Sequence, residues 1–160
     1  MNLFKKIKLL FKRPWTEAQL AEVFFYPDKI IVLTFDLTDG PWKITDKLTI
    51  LQANVSPNTL GATLKKHLDL AEYIGNYQPK NGALSAYKKA AGFKTNKETY
   101  QNARCISVHQ KDQEITLTPT ENLYNTGYDH RSDLAIRLPL TVSDEELGLQ
   151  LSKARERSNG

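Results

Sequence analysis

Ile30-Ile31-Val32-Leu33-Thr34-Phe35 is the stretch on which the reading of the fold depends. It is β-branched and apolar at consecutive positions, so it reads as a strand with both faces buried. Asp39-Gly40-Pro41 follows as a turn, with glycine free to take positive φ. Beyond it Ile44, Leu48 and Ile50 fall on one face among polar residues, the period of a half-buried strand. Residues 30–51 therefore read as a hairpin. A strand buried on both faces needs cover on each side, and the flanking sequence offers it.

Upstream, Thr16 as a cap and Glu17 in the first turn predict a helix running to about Phe25 and ended by Pro27-Asp28. Downstream, Ser56-Pro57 is a helix start, because serine accepts from orphan amides and proline at the first position gives up no needed bond. Leu60, Leu64, His67, Leu68, Ala71 and Ile74 continue at helical spacing to Gly75. Residues 75–82 read as a loop, 83–91 as a short helix ended by Gly92, and Thr95 with Glu98 as a capping box for another. Residues 104–109 and 113–118 form a second hairpin around Lys111-Asp112, with Ile106, Val108, Ile115 and Leu117 facing inward. Residues 119–132 read as a long polar loop, and Leu134, Ile136, Leu138 and Leu140 alternate as a further strand. Ser143-Asp144-Glu145-Glu146 caps a final helix whose stripe is Leu147, Leu151 and Ala154. Two hairpins, an added strand and four or five helices without regular alternation give an α+β fold: a mainly antiparallel β-sheet of about five strands packed with helices, in a single domain over 14–156.

Charge is segregated along this chain. Residues 1–13 hold five cations (Lys5, Lys6, Lys8, Lys12, Arg13) and no acid, whereas residues 14–151 hold 14 basic and 17 acidic side chains. The pI near 9.1 thus belongs to the tails of a mildly acidic body, which argues against a broad phosphate-gripping face and direct nucleic-acid binding. Leu3, Phe4, Ile7, Leu10 and Phe11 cluster on one side of a short basic amphipathic helix. Lys8 interrupts its apolar run and Pro14-Trp15 follows, unlike a secretory signal, and no segment suffices for stable membrane insertion. With a single cysteine, Cys105, the expectation is a reducing, cytoplasmic setting. Residues 157–160 read as a frayed tail. Deletion of residues 1–13 should leave a cooperative thermal transition with a modestly changed midpoint, since Pro14 is a natural break; an aggregated truncation would place Leu3, Phe4, Ile7 and Phe11 in the main core.

Catalytic chemistry is not visible. His67, His109 and His130 show no convergent spacing, and Cys105 and His109, four residues apart on one strand, have Cα atoms about 13 Å apart. Cys105 reads as an ordinary core residue. Phosphate-binding glycine loops, zinc spacings and nucleophile elbows are absent from the sequence, which implies no cofactor. Asp36 and Asp39 are near one another, but a turn beside Gly40 accounts better for Asp39 than a metal does. What remains is a surface argument. Asp36, Asp39 and Trp42 gather at the first hairpin turn, and Tyr124, Tyr128, Asp129, His130 and Asp133 in and after the long loop. Rigid aromatic side chains on loops are the usual anchors of recognition, so these eight are the candidate binding residues.

Ser107-Val-His-Gln-Lys-Asp-Gln-Glu-Ile-Thr-Leu-Thr-Pro119, then Asn125-Thr-Gly-Tyr128, the strand over 134–138 and Ser143-Asp-Glu-Glu-Leu-Gly148 with Leu151 resemble one family of immunity proteins of bacterial contact-dependent growth inhibition (CDI). The likeness extends over residues 104–156; residues 1–100 agree in layout. It implies a cytoplasmic inhibitor, not an enzyme, that binds the C-terminal toxin domain delivered by a neighbouring cell. The toxins paired with this type are often ribonucleases, including EndoU-like enzymes that cut transfer RNA. Catalytic residues do not carry over, and immunity interfaces vary with the toxin. One departure stands out: nuclease inhibitors are often strongly acidic, and this body is only mildly so. The competing readings are an RNA-binding or membrane-surface module working through the basic arm, and a small histidine-dependent RNase.

Overall fold

The computed structural model describes residues 18–76, 83–124 and 127–160. The arm expected at 1–13, the Thr16 cap and most of the 75–82 loop lie outside them. The architecture is α+β, built on one eight-stranded sheet. Its long strands are β1 (Gln19–Phe25), β2 (Lys29–Thr38), β3 (Lys43–Gln52), β5 (Arg104–Lys111) and β6 (Glu114–Asn122). They lie in the order β3-β2-β1-β5-β6, every neighbour antiparallel. Three short strands complete it: β4 (Tyr73–Gly75) runs parallel to the end of β2, while β7 (Tyr128–His130) and β8 (Ile136–Pro139) share the outer edge of β6.

Both hairpins form, but Gly40 does not take the positive φ expected of it in the first turn, whereas Asp112 and Gln113 do so (52° and 66°) in the second. Residues 19–25, expected to be helical, are instead the central strand. Ala21, Val23 and Phe25 point to one side and Leu20, Phe24 and the following Tyr26 to the other, all buried. Such a segment fits between β2 and β5 better than on a helix with one apolar stripe. The loop expected over 119–132 is also corrected: β6 runs on to Asn122, and Tyr128–His130 pairs with it. Pro119 is tolerated in mid-strand because it falls between the stretch of β6 paired to β8 and that paired to β7, where a missing N–H interrupts no outer ladder.

Helices α1 (Pro57–Asp69) and α4 (Asp144–Glu156) cover one face of the sheet. Ser56 and Ser143 cap them, each accepting from the amide three residues on (3.2 and 3.1 Å). Leu64, Leu68, Leu147 and Leu151 are fully buried against Val23, Val32, Ile106 and Leu117, each stabilising the fold by about 1.5–3 kcal/mol. The helices meet through two glycines in a reciprocal way: a Cβ on Gly61 would lie 1.9 Å from the Asp144 carbonyl oxygen, and one on Gly148 2.0 Å from that of Pro57. Helix α1 ends at Leu70, short of the predicted Gly75, because the chain is caught by the sheet: the Glu72 amide donates to Asp36 Oδ1 (3.1 Å) and the Leu37 amide to Glu72 O (2.8 Å).

The opposite face is partly covered by α2 (Ala83–Ala91) and α3 (Asn96–Tyr100). Tyr26 Oη donates to Thr99 O (2.7 Å), which leaves Tyr87 Oη to donate to Tyr26 Oη (2.9 Å), tying both helices to β1. Cys105 is buried here and burial pushes its thiol pKa up, so it is a core residue as expected. The chain end, expected to fray, lies against β6: the Asn122 amide donates to Asn159 O and the Asn159 amide to Thr120 O (both 3.2 Å), and Ser158 is buried. Among the described residues no helix is long and apolar enough to cross a membrane.

Candidate partner-binding surface

The eight candidate residues divide into two groups toward opposite edges of the strand order, with His109 between them: Trp42 touches it, and burial together with a charge on His130 lowers its pKa. Asp36, Asp39 and Trp42 lie where β2 turns into β3. Asp36 is mostly a structural anchor: it is buried, accepts the Glu72 amide and pairs with Lys47 Nζ at 3.3 Å. Asp39 is exposed and accepts from Tyr73 Oη at 2.6 Å, so the short parallel strand holds the turn in place. Trp42 is half-buried, its ring edge-on to the His109 imidazole with centroids 5.7 Å apart.

Toward the other edge the β6–β7 connection carries the second group. Among the described residues Tyr124 is the most exposed large hydrophobic, at 57%, and takes positive φ (58°); its hydroxyl donates to Gly160 O (3.0 Å). Asp129 and His130 are exposed on β7, an edge strand three residues long. Asp133, in a 3-10 turn (Ser132–Leu134), takes both Arg131 donors at 3.0 and 2.8 Å, and that hydrogen-bonded fork lowers its pKa. Its charge is thus largely answered within the chain. Tyr128 differs from the surface anchor expected. It is half-buried and packs on Phe24 and Tyr100 with ring centroids 5.9 and 5.6 Å away, and its hydroxyl, buried, has no partner among the described residues.

The histidines do not converge as a set. His67 points from α1 into the covered face, bonded to Thr34 and Thr49, and burial lowers its pKa to about 4. His109 and His130 are on the other face. Burial lowers the pKa of His109, and a charge on His130 would lower it further.

Sequence reasoning missed one residue. Glu22 sits in the middle of the central strand, paired in register with Leu33 on β2 and Ser107 on β5, on the face partly covered by α2 and α3. It lines an open cavity of about 170 Å³, and desolvation alone raises its pKa from 4.5 to about 7. The available signal was a lone acid inside Leu20-Ala-Glu-Val-Phe-Phe25, which a helical reading places on a solvated face.

Comparison with known proteins places this architecture. A protein of unknown function from Neisseria meningitidis shares the fold with a TM-score of 0.76 at 18% identity, over 90% of this chain and 97% of that one. The CdiA-CT/CdiI toxin and immunity complex from Yersinia pseudotuberculosis contains a similar chain, with a TM-score of 0.74 at 16% identity over 89% of this chain and 98% of that one. At such identities the likeness is one of fold. Curated protein sequences gave no match. The profile of the family described as CdiI, CDI immunity protein, matches residues 21–158, which include the central strand, both hairpins and both glycine-bearing helices, so the chain belongs to the CDI immunity protein family.

Proposed function

We propose that the protein works in the cytoplasm, where it binds the C-terminal toxin domain of its CDI system and neutralises it, the toxin being a ribonuclease of the EndoU-like, tRNA-cutting kind. The family match over residues 21–158 carries this reading, and the fold shared with a solved toxin and immunity complex supports it. The partner surface that fits best is the rim formed by Tyr124, Asp129 and His130, an exposed aromatic beside polar side chains on an edge strand, with Asp39 and Trp42 as a second contact at the β2–β3 turn. The role asks for binding rather than chemistry.

The test is co-expression. The toxin domain encoded by the adjacent upstream reading frame should arrest growth alone and not when this protein is present. Arrest that persists with the protein abundant would overturn the assignment. Purified protein is expected to leave total tRNA and structured RNA intact, because His67 faces away from His109 and His130 across the sheet. Cleavage abolished by His109→Ala or His130→Ala would replace the inhibitor with an enzyme.

A further inference from the structure

A buried carboxylate without a partner is costly, and proteins keep one where something else completes it. Glu22, half-buried on the wall of an open cavity and desolvated there, comes close to that case. Among the described residues it forms no hydrogen bond or ion pair, and desolvation is the sole cause of its raised pKa. Two more oxygens close by are equally unanswered. Ser107 Oγ, on the cross-strand neighbour of Glu22, and Tyr128 Oη, which feels the Glu22 charge, are both buried without a partner. Ionised Glu22 is an acceptor without a donor, and a hydroxyl can accept as well as donate, so a donor set into the cavity would find acceptors here.

Shape narrows the choice. The cavity holds about 170 Å³, well under the roughly 300 Å³ at which pockets begin to take drug-sized ligands, and is the size of a single side chain. Its walls include the rings of Phe24, Phe35, Tyr87, Tyr100 and Tyr128. An ammonium or guanidinium brings donors and no acceptor, meets a carboxylate as its counter-ion, and is attracted to aromatic faces. A neutral apolar side chain would fill the space but leave all three oxygens as they are. An acidic one would bring a like charge to Glu22.

We propose that this cavity is a socket for one lysine or arginine side chain of the toxin, with Glu22 as its counter-ion, the Tyr128 hydroxyl as a further acceptor and the aromatic rings as its wall. The proposal rests on the reading of the protein as a toxin-binding immunity protein. It adds an anchor point set into the sheet to the rim of Tyr124, Asp129 and His130, and Tyr128 links the two, being the first residue of β7 and part of the socket wall. It also assigns a use to the mild acidity of the body: one desolvated carboxylate discriminates a cation more sharply than a diffuse negative field does.

The socket has a signature that rim contacts lack. In the free protein Glu22, with its pKa near 7, is about half protonated at neutral pH, and a cation seated on it favours the carboxylate, so binding expels protons. Other titratable groups facing it are Cys105 on β5, Tyr87 on α2, Tyr100 on α3 and Tyr128 on β7. Burial raises Cys105, Tyr87 and Tyr128, so they stay protonated at this pH, and His109 lies one cross-strand step farther along β5.

The experiment titrates the purified toxin domain of the adjacent reading frame into wild type, Glu22→Gln and Tyr128→Phe, by calorimetry at pH 7 in two buffers of different ionisation enthalpy. Wild type should bind with proton release. Glu22→Gln should bind at least 100-fold more weakly without that release, and Tyr128→Phe about tenfold more weakly with the release retained. The free Glu22→Gln protein should melt no lower than wild type at pH 8. Affinity of Glu22→Gln within threefold of wild type would overturn the socket and leave the immunity reading standing. Failure of wild type itself to bind would sink both. A Glu22→Gln protein that melts well below wild type would show that a cation of this chain, in the basic segment 1–13, already fills the cavity, and would also overturn the proposal.

Discussion

Gly148→Ala is expected to lower the free energy of unfolding by about 3 kcal/mol or more, and Gly61→Ala to do the same, in urea titrations. Intrinsic propensity predicts the opposite sign, since alanine is favoured over glycine inside a helix by about 1 kcal/mol. Contact decides. The new methyl at 148 would meet the Pro57 carbonyl oxygen at 2.0 Å and that at 61 the Asp144 carbonyl oxygen at 1.9 Å. Both obstacles are backbone, so relief requires α1 and α4 to separate, which opens the layer holding Leu60, Leu64, Leu147 and Leu151. The arrangement is reciprocal: each glycine is four residues into its own helix and meets the first residue of the other. If Gly148→Ala unfolds at the wild-type urea concentration, the close approach is dispensable. The glycine of the Ser143-Asp-Glu-Glu-Leu-Gly148 motif has a packing reason, since only a residue without Cβ lets α4 touch α1.

The second large effect is expected at His67. Thr34 Oγ1 donates to His67 O (2.9 Å) and so must accept from Nδ1–H (2.8 Å), which leaves Nε2 to accept from Thr49 Oγ1 (2.8 Å). The ring is neutral, fully bonded and 2% exposed, joining α1 to β2 and β3. His67→Leu should cost about 2 kcal/mol at pH 8, mainly for hydroxyls that lose the imidazole. Acid adds to this. The folded value near 4 lies below the unfolded 6.5, so the unfolded chain takes up the proton first. The stability from neutral His67 is complete above pH 6.5 and disappears as pH falls through 4, a change of about 3 kcal/mol that His67→Leu should lack. Glu22 acts with the opposite sign, gaining stability as pH falls from about 7 towards 4.5, so the His67 effect is read as wild type minus variant at each pH. Parallel stability curves for the two proteins would mean that His67 is not buried as a neutral ring.

What was legible in the sequence was what is decided locally. The serine caps of α1 and α4, the Thr95 cap of α3 and the two hairpin turns depend on neighbours within a few residues and stand, as does the alternating strand from Ile136 on, Leu134 belonging instead to a 3-10 turn. The errors fall where partners are remote. Residues 19–25 are a strand because β5, some eighty positions on, pairs with them, and nothing in Gln19–Phe25 reports that. Helix α1 stops where Asp36 takes hold of Glu72, and β7 exists because β6 runs on past Pro119. The candidate site suffered in the same way. Asp36 and Asp133 look like free acids in sequence but are answered by Lys47 and Arg131, whereas Glu22, which looks like an ordinary surface acid, is desolvated and has no side-chain partner among the described residues.

The placement of β1 also sets when this protein can exist at all. Strands β1 to β3 emerge from the ribosome before β5, as a meander with apolar residues on both faces, and β5 cannot close beside them until residue 111 has been made. Helix α4, which supplies Leu147, Leu151 and Ala154 to the core, comes last. At roughly 5–20 residues per second, synthesis from the end of β3 to the end of α4 occupies about 5–20 s, during which the meander is half of a sheet with an open edge. Protection against an incoming toxin then depends on copies already finished, because a chain still being translated has neither its sheet nor the cover that shapes its surface.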